Sequence, residues 1–321
     1  MARVMTVKKS NDYTIKERFE EYIAEKRALN LAEKTITCYK ESFKKFAEVI
    51  DVDMNINDLE KKDITTFTGD MLDQGDIKPT SINHYLRDIR AFLKWCMANG
   101  YIERQFKIEM VKFQEEPKET YTKEELELLL EKPEGNNFVE YRTYAIIKWI
   151  LGTGNRVSTI CNIKVKDINF RQKQVVLAHT KNKKAQVLPL TPELTRVIKD
   201  FIKSTTPEEG ERSEYLFCSV TNGKLTPDGL KHALRDYNLS RGVKKTSAHA
   251  LRHTFAKHYV ASGGDCFKLQ KILGHTTLDM TRKYVNLITE DIEGDFENHS
   301  ILEELTSSNV RKHAIKMKKA G

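Results

Sequence analysis

Hydrophobic residues recur at helical spacing in four separate stretches of the first 100 residues. The first stretch follows Thr14, which has the spacing of a capping box with Glu17, a pattern found at the amino ends of helices. The fourth follows "KPTS" and stops at Gly100, a residue type that commonly ends a helix. The sequence therefore predicts four helices, with apolar stripes formed by Ile15, Phe19, Tyr22 and Ile23; by Ile36, Tyr39, Phe43, Phe46, Ala47 and Ile50; by Ile64, Phe67 and Met71; and by Ile82, Tyr85, Leu86, Ile89, Phe92, Leu93 and Cys96.

The pattern changes in the second half of the chain. Two amphipathic stretches, "YTKEELELLLEK" and "FVEYRTYAIIKWILGTG", predict helices. Short β-type runs follow in "DINF", "QVVLAH" and "AQVLPL", the last two separated by the lysine-rich turn "TKNKK". Helical spacing resumes at "TPELTRVIKDFI", "YLFCSV" is a further candidate strand, and the chain is expected to be helical from Thr226 nearly to Leu287.

These elements predict a mainly α fold with a small antiparallel β-sheet. The length of 321 residues is enough for two ordinary domains. A stretch of mixed charges with one proline is interpreted as the linker between them. We expect an N-terminal extension, a helical domain, the linker, an α+β domain and a C-terminal tail helix over residues 1–10, 11–102, 103–118, 119–293 and 294–321, respectively.

Composition narrows the class of protein. Hydrophobic residues make up 39% and charged residues 31%, which is typical of soluble globular chains. No apolar run approaches the roughly 20 residues that span a bilayer, and "MARVMTVKKS" lacks the apolar core of a secretory signal. The five cysteines are scattered without a CxxC pair, so we expect neither disulfides nor a zinc cluster, and a cytoplasmic location.

The net charge of +8 permits a polyanionic partner but does not identify one. Basic and acidic residues balance over residues 1–100, so the excess lies downstream. On the fourth predicted helix, Arg87, Arg90 and Lys94 cluster away from the apolar stripe. This cluster is either a solvated helix face or a surface that contacts phosphates.

The stretch "SAHALRHTF" contains one candidate site. His249 and Arg252 are three residues apart, so they share one face of a helix. An imidazole can move a proton near neutral pH, and a guanidinium can bind a phosphate, but an exposed or capping pair has the same spacing. His249 and His253 also have the spacing of metal ligands. However, Ala250 occupies the glutamate position of the HExxH motif, so a zinc site is not favoured.

Two further candidates are basic residues beside turns. Arg156 follows a glycine turn at the expected start of a helix, where it can bind an anion or simply lie on the surface. Lys181 lies in the turn between two predicted strands, where it can reach a bound duplex and donate a proton, or be an ordinary solvated lysine. Lys183 and Lys184 beside it are expected to contact the DNA backbone or only to aid solubility.

The stretch "LGHTTLDMTRKY" places His275 nine residues ahead of Tyr284. The tyrosine follows Arg282 and Lys283 on a segment with helical spacing. By itself it is a half-buried aromatic, a hydrogen-bond donor or a nucleophile, and only its surroundings decide among the three.

The order and spacing of these motifs together resemble the tyrosine recombinase (phage integrase) family. "TGNRVSTICNIKVKDI" resembles the first arginine box of the family and "TKNKKAQVLPL" its lysine hairpin, within a likeness that spans residues 119–290. The leading four-helix segment resembles the family's core-binding domain. The resemblance implies a helical core-binding (SAM-like) domain followed by an α+β tyrosine recombinase catalytic domain.

The resemblance also implies a reaction, site-specific recombination of double-stranded DNA at core sites. Tyr284 would attack a scissile phosphate, giving a 3′-phosphotyrosine and a free 5′-hydroxyl. Arg156 and Arg252 would hold the non-bridging oxygens, where negative charge builds in the transition state. Because the covalent link retains the energy of the phosphodiester, no cofactor and no metal are expected.

Three more roles follow from the resemblance. Lys181 would be the general acid for the leaving 5′-oxygen, His249 would assist proton transfer on the tyrosine side, and His275 would hydrogen-bond the phosphate. The chain departs from the family in one place. Members commonly carry an acidic residue three positions after the first arginine, and Thr159 stands there. The departure leaves open what supports Arg156.

The resemblance implies a homo-tetramer on two duplexes, in which the tail helix docks on a neighbouring protomer or folds back in cis. Only about ten residues precede the first helix, too few for a core of their own, so a two-domain recombinase of a bacterium, archaeon, phage or mobile element is expected. Integration, excision, inversion and dimer resolution stay open, as does an accessory directionality protein. The alternatives are a type IB topoisomerase and a non-catalytic DNA-binding regulator.

Overall fold

The computed structural model describes residues 13–114, 118–135, 137–178, 185–207 and 211–285. The chain divides into two compact units, Met1–Glu116 and Pro117–Gly321. Three expected features lie outside the described residues, namely the N-terminal extension (1–10), the tail helix (294–321) and the hairpin lysines Lys181, Lys183 and Lys184.

The first unit contains the four helices that the hydrophobic pattern predicts. They are α1 (Ile15–Ala28), α2 (Glu33–Ala47), α3 (Lys61–Asp73) and α4 (Pro79–Ala98), with a short 3-10 helix over Ile56–Asp58. The capping box at α1 is confirmed, because the Thr14 hydroxyl accepts from the Glu17 amide at 3.1 Å and the Glu17 carboxylate accepts from the Thr14 amide at 2.9 Å. Two backbone donors at the start of α1 are thereby satisfied.

Aromatic side chains fill the core of the first unit. The Phe19 ring stacks on Phe43 with centroids 3.8 Å apart and meets the edge of Phe92 at 5.3 Å. The residues expected to be a linker form no helix or strand between residues 103 and 114, but they are anchored on this unit. Ile108 is buried in the core, and the Asn83 side chain exchanges two 2.8 Å hydrogen bonds with the backbone of Val111.

The second unit combines eight described α-helices and a short 3-10 helix over Val165–Asp167 with one small sheet. The helices are α5 (Lys123–Leu130), α6 (Phe138–Thr153), α7 (Val157–Ile160), α8 (Pro192–Thr205), α9 (Pro227–Ser240), α10 (Ala248–Ala261), α11 (Cys266–Leu273) and α12 (Asp279–Val285). The antiparallel sheet has the order β1-β2-β3, with β1 (Ile168–Asn169), β2 (Gln174–Leu177) and β3 (Gln186–Pro189). The predicted fold class is confirmed. The prediction of a strand at "YLFCSV" is wrong, because this stretch forms only the isolated bridges Tyr215–Lys164 and Cys218–Lys224.

Helix α6 lies at the centre of the second core, since it packs against α8, α9 and α10. It is apolar on nearly every side, as expected of a helix with neighbours all round. Its buried residues include Ile146, Ile147, Trp149 and Ile150. The carboxyl end of α6 is therefore held firmly, and the chain leaves it towards Arg156. None of the helices in the described part of the chain is both long and apolar enough to cross a membrane.

Candidate active site

The loop before Arg156 is shaped by a glycine in a left-handed conformation. Helix α6 ends at Gly154, with φ of +64°. A Cβ at this position would lie 2.6 Å from Phe255 and 2.7 Å from Leu273, so a side chain is excluded by space as well as by conformation. The buried Asn155 follows and accepts a 2.9 Å hydrogen bond from the Trp149 indole. The loop is thus fixed on the core of the second unit.

Two arginines converge on the carboxyl end of α11. Arg252, which is 4% exposed on α10, donates to the carbonyls of Gly154 at 2.5 Å and Leu273 at 2.7 Å. Arg156, at the start of α7, donates to the carbonyls of Leu273 at 3.0 Å and Gly274 at 3.4 Å. The last carbonyls of a helix have no partner within it and form the negative end of its dipole. One such carbonyl, that of Leu273, therefore accepts from both guanidinium groups.

These carbonyls support Arg156, at a place where Thr159 stands instead of the acidic residue common in the family. Thr159 is buried on α7. Among the described residues, no carboxylate oxygen lies within 4 Å of a guanidinium nitrogen of Arg156 or Arg252. Burial and the neighbouring positive charge of Arg156 lower the pKa of Arg252 to about 9. Burial also lowers the pKa of Arg156. The pair is oriented by the main chain but its charge is not neutralised, which favours binding of an anion.

His275 is held in one tautomer by two neighbours. A guanidinium only donates, so the 3.0 Å contact between Arg252 Nη2 and His275 Nε2 requires a lone pair on Nε2. The proton is then on Nδ1, which donates to the Thr281 hydroxyl at 2.9 Å. Burial and the charges of Arg252 and Arg156 lower the pKa of His275 to about 3. The ring is therefore neutral at pH 7.

Tyr284 lies in the same cluster, on α12. It is 1% exposed, and its hydroxyl lies 2.7 Å from Nδ1 of His253. Its ring is nearly parallel to that of His275, with centroids 6.5 Å apart, and the ammonium group of Lys118 lies 4.7 Å from its centroid. Burial raises the pKa of Tyr284, although Arg252 and Arg156 oppose the rise. The phenol therefore carries its proton at neutral pH.

His249 and His253 occupy different positions relative to the tyrosine. His249 is exposed, and its ring centroid lies 6.0 Å from that of His253. Partial desolvation, followed by the charges of Arg252 and Arg156, lowers the pKa of His249. The structure brings His253, rather than His249, to the phenolic oxygen. The spacing of His253 in the sequence indicates at most a metal ligand, because nothing in that spacing shows that α12 packs against α10.

The hairpin between β2 and β3 is tied to the same helix end. Gln186, the first residue of β3, donates through its side-chain amide to the carbonyls of Lys271 at 2.6 Å and Ile272 at 3.0 Å. Lys181, which the sequence places between β2 and β3, lies outside the described residues. The root of the hairpin and the two arginines therefore share α11 as their point of attachment.

Both regions of the chain match known families. Residues 119–290 match the model of the phage integrase family, and residues 17–103 match that of the phage integrase N-terminal SAM-like domain. The tyrosine recombinase XerC of Anoxybacillus flavithermus is 30% identical over 271 residues, which cover 82% of this chain and 89% of that protein. The tyrosine recombinase XerA of Pyrococcus furiosus is 30% identical over 228 residues, covering 70% and 76%.

The chain belongs to the tyrosine recombinase family. It is accordingly a site-specific DNA recombinase, as the motifs predicted. Solved structures agree in fold. The Tn1549 transposon integrase with transposon right end DNA matches with a TM-score of 0.75 at 20% identity, covering 89% of this chain and 99% of that one. A lambda integrase dimer on a COC′ core site matches with a TM-score of 0.67 at 16% identity, covering 86% and 78%.

Nothing in these comparisons favours the topoisomerase or regulator alternatives. In the first unit of the recombinase, Arg87 and Lys94 are exposed on α4 and Arg90 is half-buried beside them. Arg90 and Lys94 line a surface cavity of about 600 Å³, together with the segment from Gln105 to Ile108. The expected separation of these cations from the apolar stripe of α4 is confirmed.

Proposed function

We propose that this recombinase cuts and rejoins double-stranded DNA at specific core sites through a 3′-phosphotyrosine at Tyr284. One observation carries the proposal. The phenol of Tyr284 lies in a buried cluster with His253, His275 and the arginine pair, so a nucleophile and an anion-binding group adjoin. Structures of the Tn1549 and lambda integrases in complex with DNA support a duplex partner.

The proposed cleavage is a transesterification at phosphorus. The phenolic oxygen of Tyr284 bonds to the phosphorus, the bond to the 5′-oxygen breaks, and the proton of the phenol must go to a base. Arg156 and Arg252 bind the non-bridging oxygens. Each guanidinium has five N–H donors, and the bonds to the Gly154, Leu273 and Gly274 carbonyls leave others for a phosphate. Donors fixed in advance in this way stabilise developing charge without reorganisation.

We propose that His275 and His249 act on the phosphate rather than on the phenol of Tyr284. His275 uses both ring nitrogens, one towards Arg252 and one towards Thr281, so we propose that it orients Arg252. A bound phosphate raises the pKa of a neighbouring imidazole, and a protonated His275 would exchange its contact with Arg252 for a hydrogen bond from Nε2 to the phosphate. His249, exposed and one turn before His253, is proposed to donate to a phosphate oxygen.

Lys181 is proposed as the general acid for the 5′-oxygen, with Lys183 and Lys184 contacting the DNA backbone. The bonds of Gln186 to α11 support this role, because they attach the root of the hairpin next to the arginines. Gln186→Ala should lower cleavage on the order of 10-fold, since misplaced catalytic groups react more slowly. A substrate with sulfur as the bridging 5′-atom, which leaves without a proton, should remove this defect. An equal defect on both substrates would contradict the link to the hairpin.

The assembly is proposed to be a homo-tetramer on two duplexes, free of cofactors and acting in the cytoplasm. A lambda integrase tetramer on a Holliday junction, which matches at a TM-score of 0.66, supports the assembly. The tail over residues 294–321 is proposed to dock on a neighbouring protomer. Truncation after Asn298 should impair assembly on paired sites more than binding to one site. Unchanged recombination by the truncated protein would refute a role in trans.

On the first unit, Arg87, Arg90 and Lys94 are proposed to contact DNA phosphates. Their position on the face of α4 away from the core supports this proposal. Neutral substitutions there should weaken binding on all sequences and reduce its dependence on salt. Whether the product is an integrated, excised or resolved molecule then follows from the arrangement of the two sites.

The deciding experiment traps the covalent complex. The wild-type protein is incubated with nicked duplexes from a genomic library, and the DNA ends attached to protein are sequenced to find the core site. Tyr284→Phe should give no covalent complex, whereas Tyr215→Phe, which changes a tyrosine outside the cluster of buried residues around Tyr284, should behave as wild type. Cleavage by Tyr284→Phe, or relaxation of supercoils without recombination of paired sites, would overturn the proposal.

A further inference from the structure

The Tyr284 hydroxyl contacts a histidine to which the family resemblance assigns no role. The phenolic oxygen lies 2.7 Å from Nδ1 of His253, and the two ring centroids are 5.6 Å apart. The distance is that of a short hydrogen bond. The contact joins α10 to α12, and it brings together residues 31 positions apart. His253 therefore touches the atom that must become the nucleophile.

A proton acceptor is needed at this place. Burial raises the pKa of Tyr284, so its phenol is protonated at neutral pH and attacks slowly until the proton leaves. The nearby Arg252 and Arg156 are cations and cannot accept a proton. His275 offers its lone pair to Arg252, and its ring lies beside that of the tyrosine rather than at the hydroxyl.

The surroundings of His253 keep its ring neutral. Burial, then the charges of Lys118, His249 and Arg252, lower the pKa of His253 to about 4. A neutral imidazole has one bare nitrogen, and acceptance from the phenol places it at Nδ1. A DNA phosphate adds negative charge beside the same cations, which raises the pKa of His253 and strengthens it as a base.

We propose that His253 is a catalytic residue that accepts the phenolic proton of Tyr284 during DNA cleavage. This rests on the proposed function, in which Tyr284 is the nucleophile. As the Tyr284 oxygen bonds to phosphorus, its proton passes to Nδ1 of His253, the bond to the 5′-oxygen breaks, and that oxygen takes a proton from the general acid. In rejoining, the 5′-hydroxyl attacks phosphorus and gives its proton back to the group that acted as general acid. The bond between phosphorus and the phenolic oxygen breaks, and the imidazolium of His253 returns its proton to that oxygen.

The first test is His253→Asn, which keeps a polar atom near the position of Nδ1 but cannot take up a proton. Single-turnover cleavage should fall roughly 10²–10⁴-fold, the usual contribution of a general base, with DNA binding unchanged. The acid limb of the wild-type rate against pH should disappear. His258→Asn is the matched control, since His258 is exposed at the far end of α10, and it should cleave as wild type.

Changes to the leaving group and the nucleophile separate the proton from mere positioning. A bridging 5′-sulfur should leave the His253→Asn defect in place, because the lost step is on the tyrosine side, while it relieves Lys181→Ala. Replacing Tyr284 by 2,3-difluorotyrosine, whose phenol is more acidic, should restore at least 10-fold of the lost rate in His253→Asn. A defect that is insensitive to the acidity of the nucleophile would reduce His253 to a positioning residue and overturn the inference.

A measurement without DNA keeps the two proposals distinguishable. With 3-fluorotyrosine at position 284, the fluorine resonance should shift between wild type and His253→Asn, and not with His258→Asn. If the wild type forms no covalent complex, the proposed function is wrong, but the contact between His253 and Tyr284 can still be observed by the fluorine resonance. A wild type that cleaves while His253→Asn cleaves equally well would overturn the role of His253 alone. Melting temperatures of all variants identify any that fail to fold. If His253→Asn is one of them, the test is made on the wild type, by comparing its rate against pH with tyrosine and with 2,3-difluorotyrosine at position 284.

Discussion

Two buried arginines, one in each unit of the recombinase, have opposite kinds of partner. In the first unit, Arg18 lies between the rings of Tyr13 and Tyr101, 3.9 and 3.6 Å from their centroids, and pairs with Glu21 at 2.6 Å. In the second, Arg252 has only carbonyl and imidazole partners among the described residues, with Arg156 beside it. The first arginine has its counter-charge, whereas the second retains an unneutralised charge that a ligand can relieve.

This difference separates a structural site from the proposed phosphate site by electrostatics rather than by burial. Both side chains are about equally buried, at 5% and 4% exposed. Burying a charge without a counter-charge costs stability, and such a cost persists where function requires it. The adjoining uncompensated charges of Arg156 and Arg252 therefore support the phosphate site proposed in the second unit, and the compensated arginine of the first unit supports none there.

The largest expected effect is on catalysis in the second unit. Arg252→Met keeps the approximate shape of the side chain but removes its charge. DNA cleavage should fall about 10²–10³-fold, while the free energy of unfolding should change by less than about 1 kcal/mol, because lost hydrogen bonds and relieved repulsion offset each other. Single-turnover cleavage and urea denaturation measure the two effects. A large loss of stability with little loss of cleavage would reverse the comparison.

The corresponding change in the first unit should act on stability alone. Arg18→Met removes two cation–π contacts and one ion pair, and we expect a loss of about 2 kcal/mol. The two tryptophans make the test local, since Trp95 is in the first unit and Trp149 in the second. In a Trp149→Phe background, Trp95 fluorescence should report the earlier unfolding. Cleavage at saturating DNA should be unaffected, and a catalytic defect larger than the loss of folded protein would contradict the assignment.

An anion should stabilise the second unit and not the first. Inorganic phosphate that binds the folded arginine pair adds about 1.4 kcal/mol at ten times its Kd. The melting transition seen by Trp149 should therefore rise with phosphate, and the rise should be lost in Arg252→Met. The variant Arg212→Met, at a half-buried arginine of the same unit, is the control. An equal shift in all three proteins would mean that phosphate acts on the surface in general.

Acidification should affect the second unit through its histidines. Burial lowers the pKa of His253 to about 4 and that of His275 to about 3, against an ordinary value of 6.5. Between the ordinary pKa of 6.5 and the lowered values, the unfolded chain binds more protons than the folded one. The free energy of unfolding is therefore highest above pH 6.5 and decreases as the pH falls through about 4. The melting temperature reported by Trp149 should fall across this window, less steeply in His275→Asn. An identical dependence of the melting temperature on pH in that variant would show that His275 does not contribute to the effect.

The sequence predicts the helices better than it predicts the site. The apolar stripes and the capping box at Thr14 identify the first unit because they act locally, within a few residues. "YLFCSV" has the composition of a strand, but it finds only single bridging partners at Lys164 and Lys224, and strand composition does not specify a partner.

Within the site, side-chain motifs identified Arg156, Arg252, His275 and Tyr284 as candidates, and the structure brings these four together. The contact of His253 with Tyr284 was missed because it depends on how α10 and α12 pack, which no local spacing records. The carbonyls that orient the arginines were also missed, since every residue carries one and the sequence gives no sign of which are used.

The carbonyl of Leu273, which accepts from both Arg156 and Arg252, has a consequence for how the protein tolerates mutation. No point substitution can delete a main-chain oxygen, so this bridging acceptor is protected against most genetic change. A one-residue insertion or deletion within α11 is different, because it would rotate the helix end by about 100°. Both guanidinium groups would then lose their acceptors in a single event, so the site is expected to be more sensitive to a change in the length of α11 than to most substitutions in it.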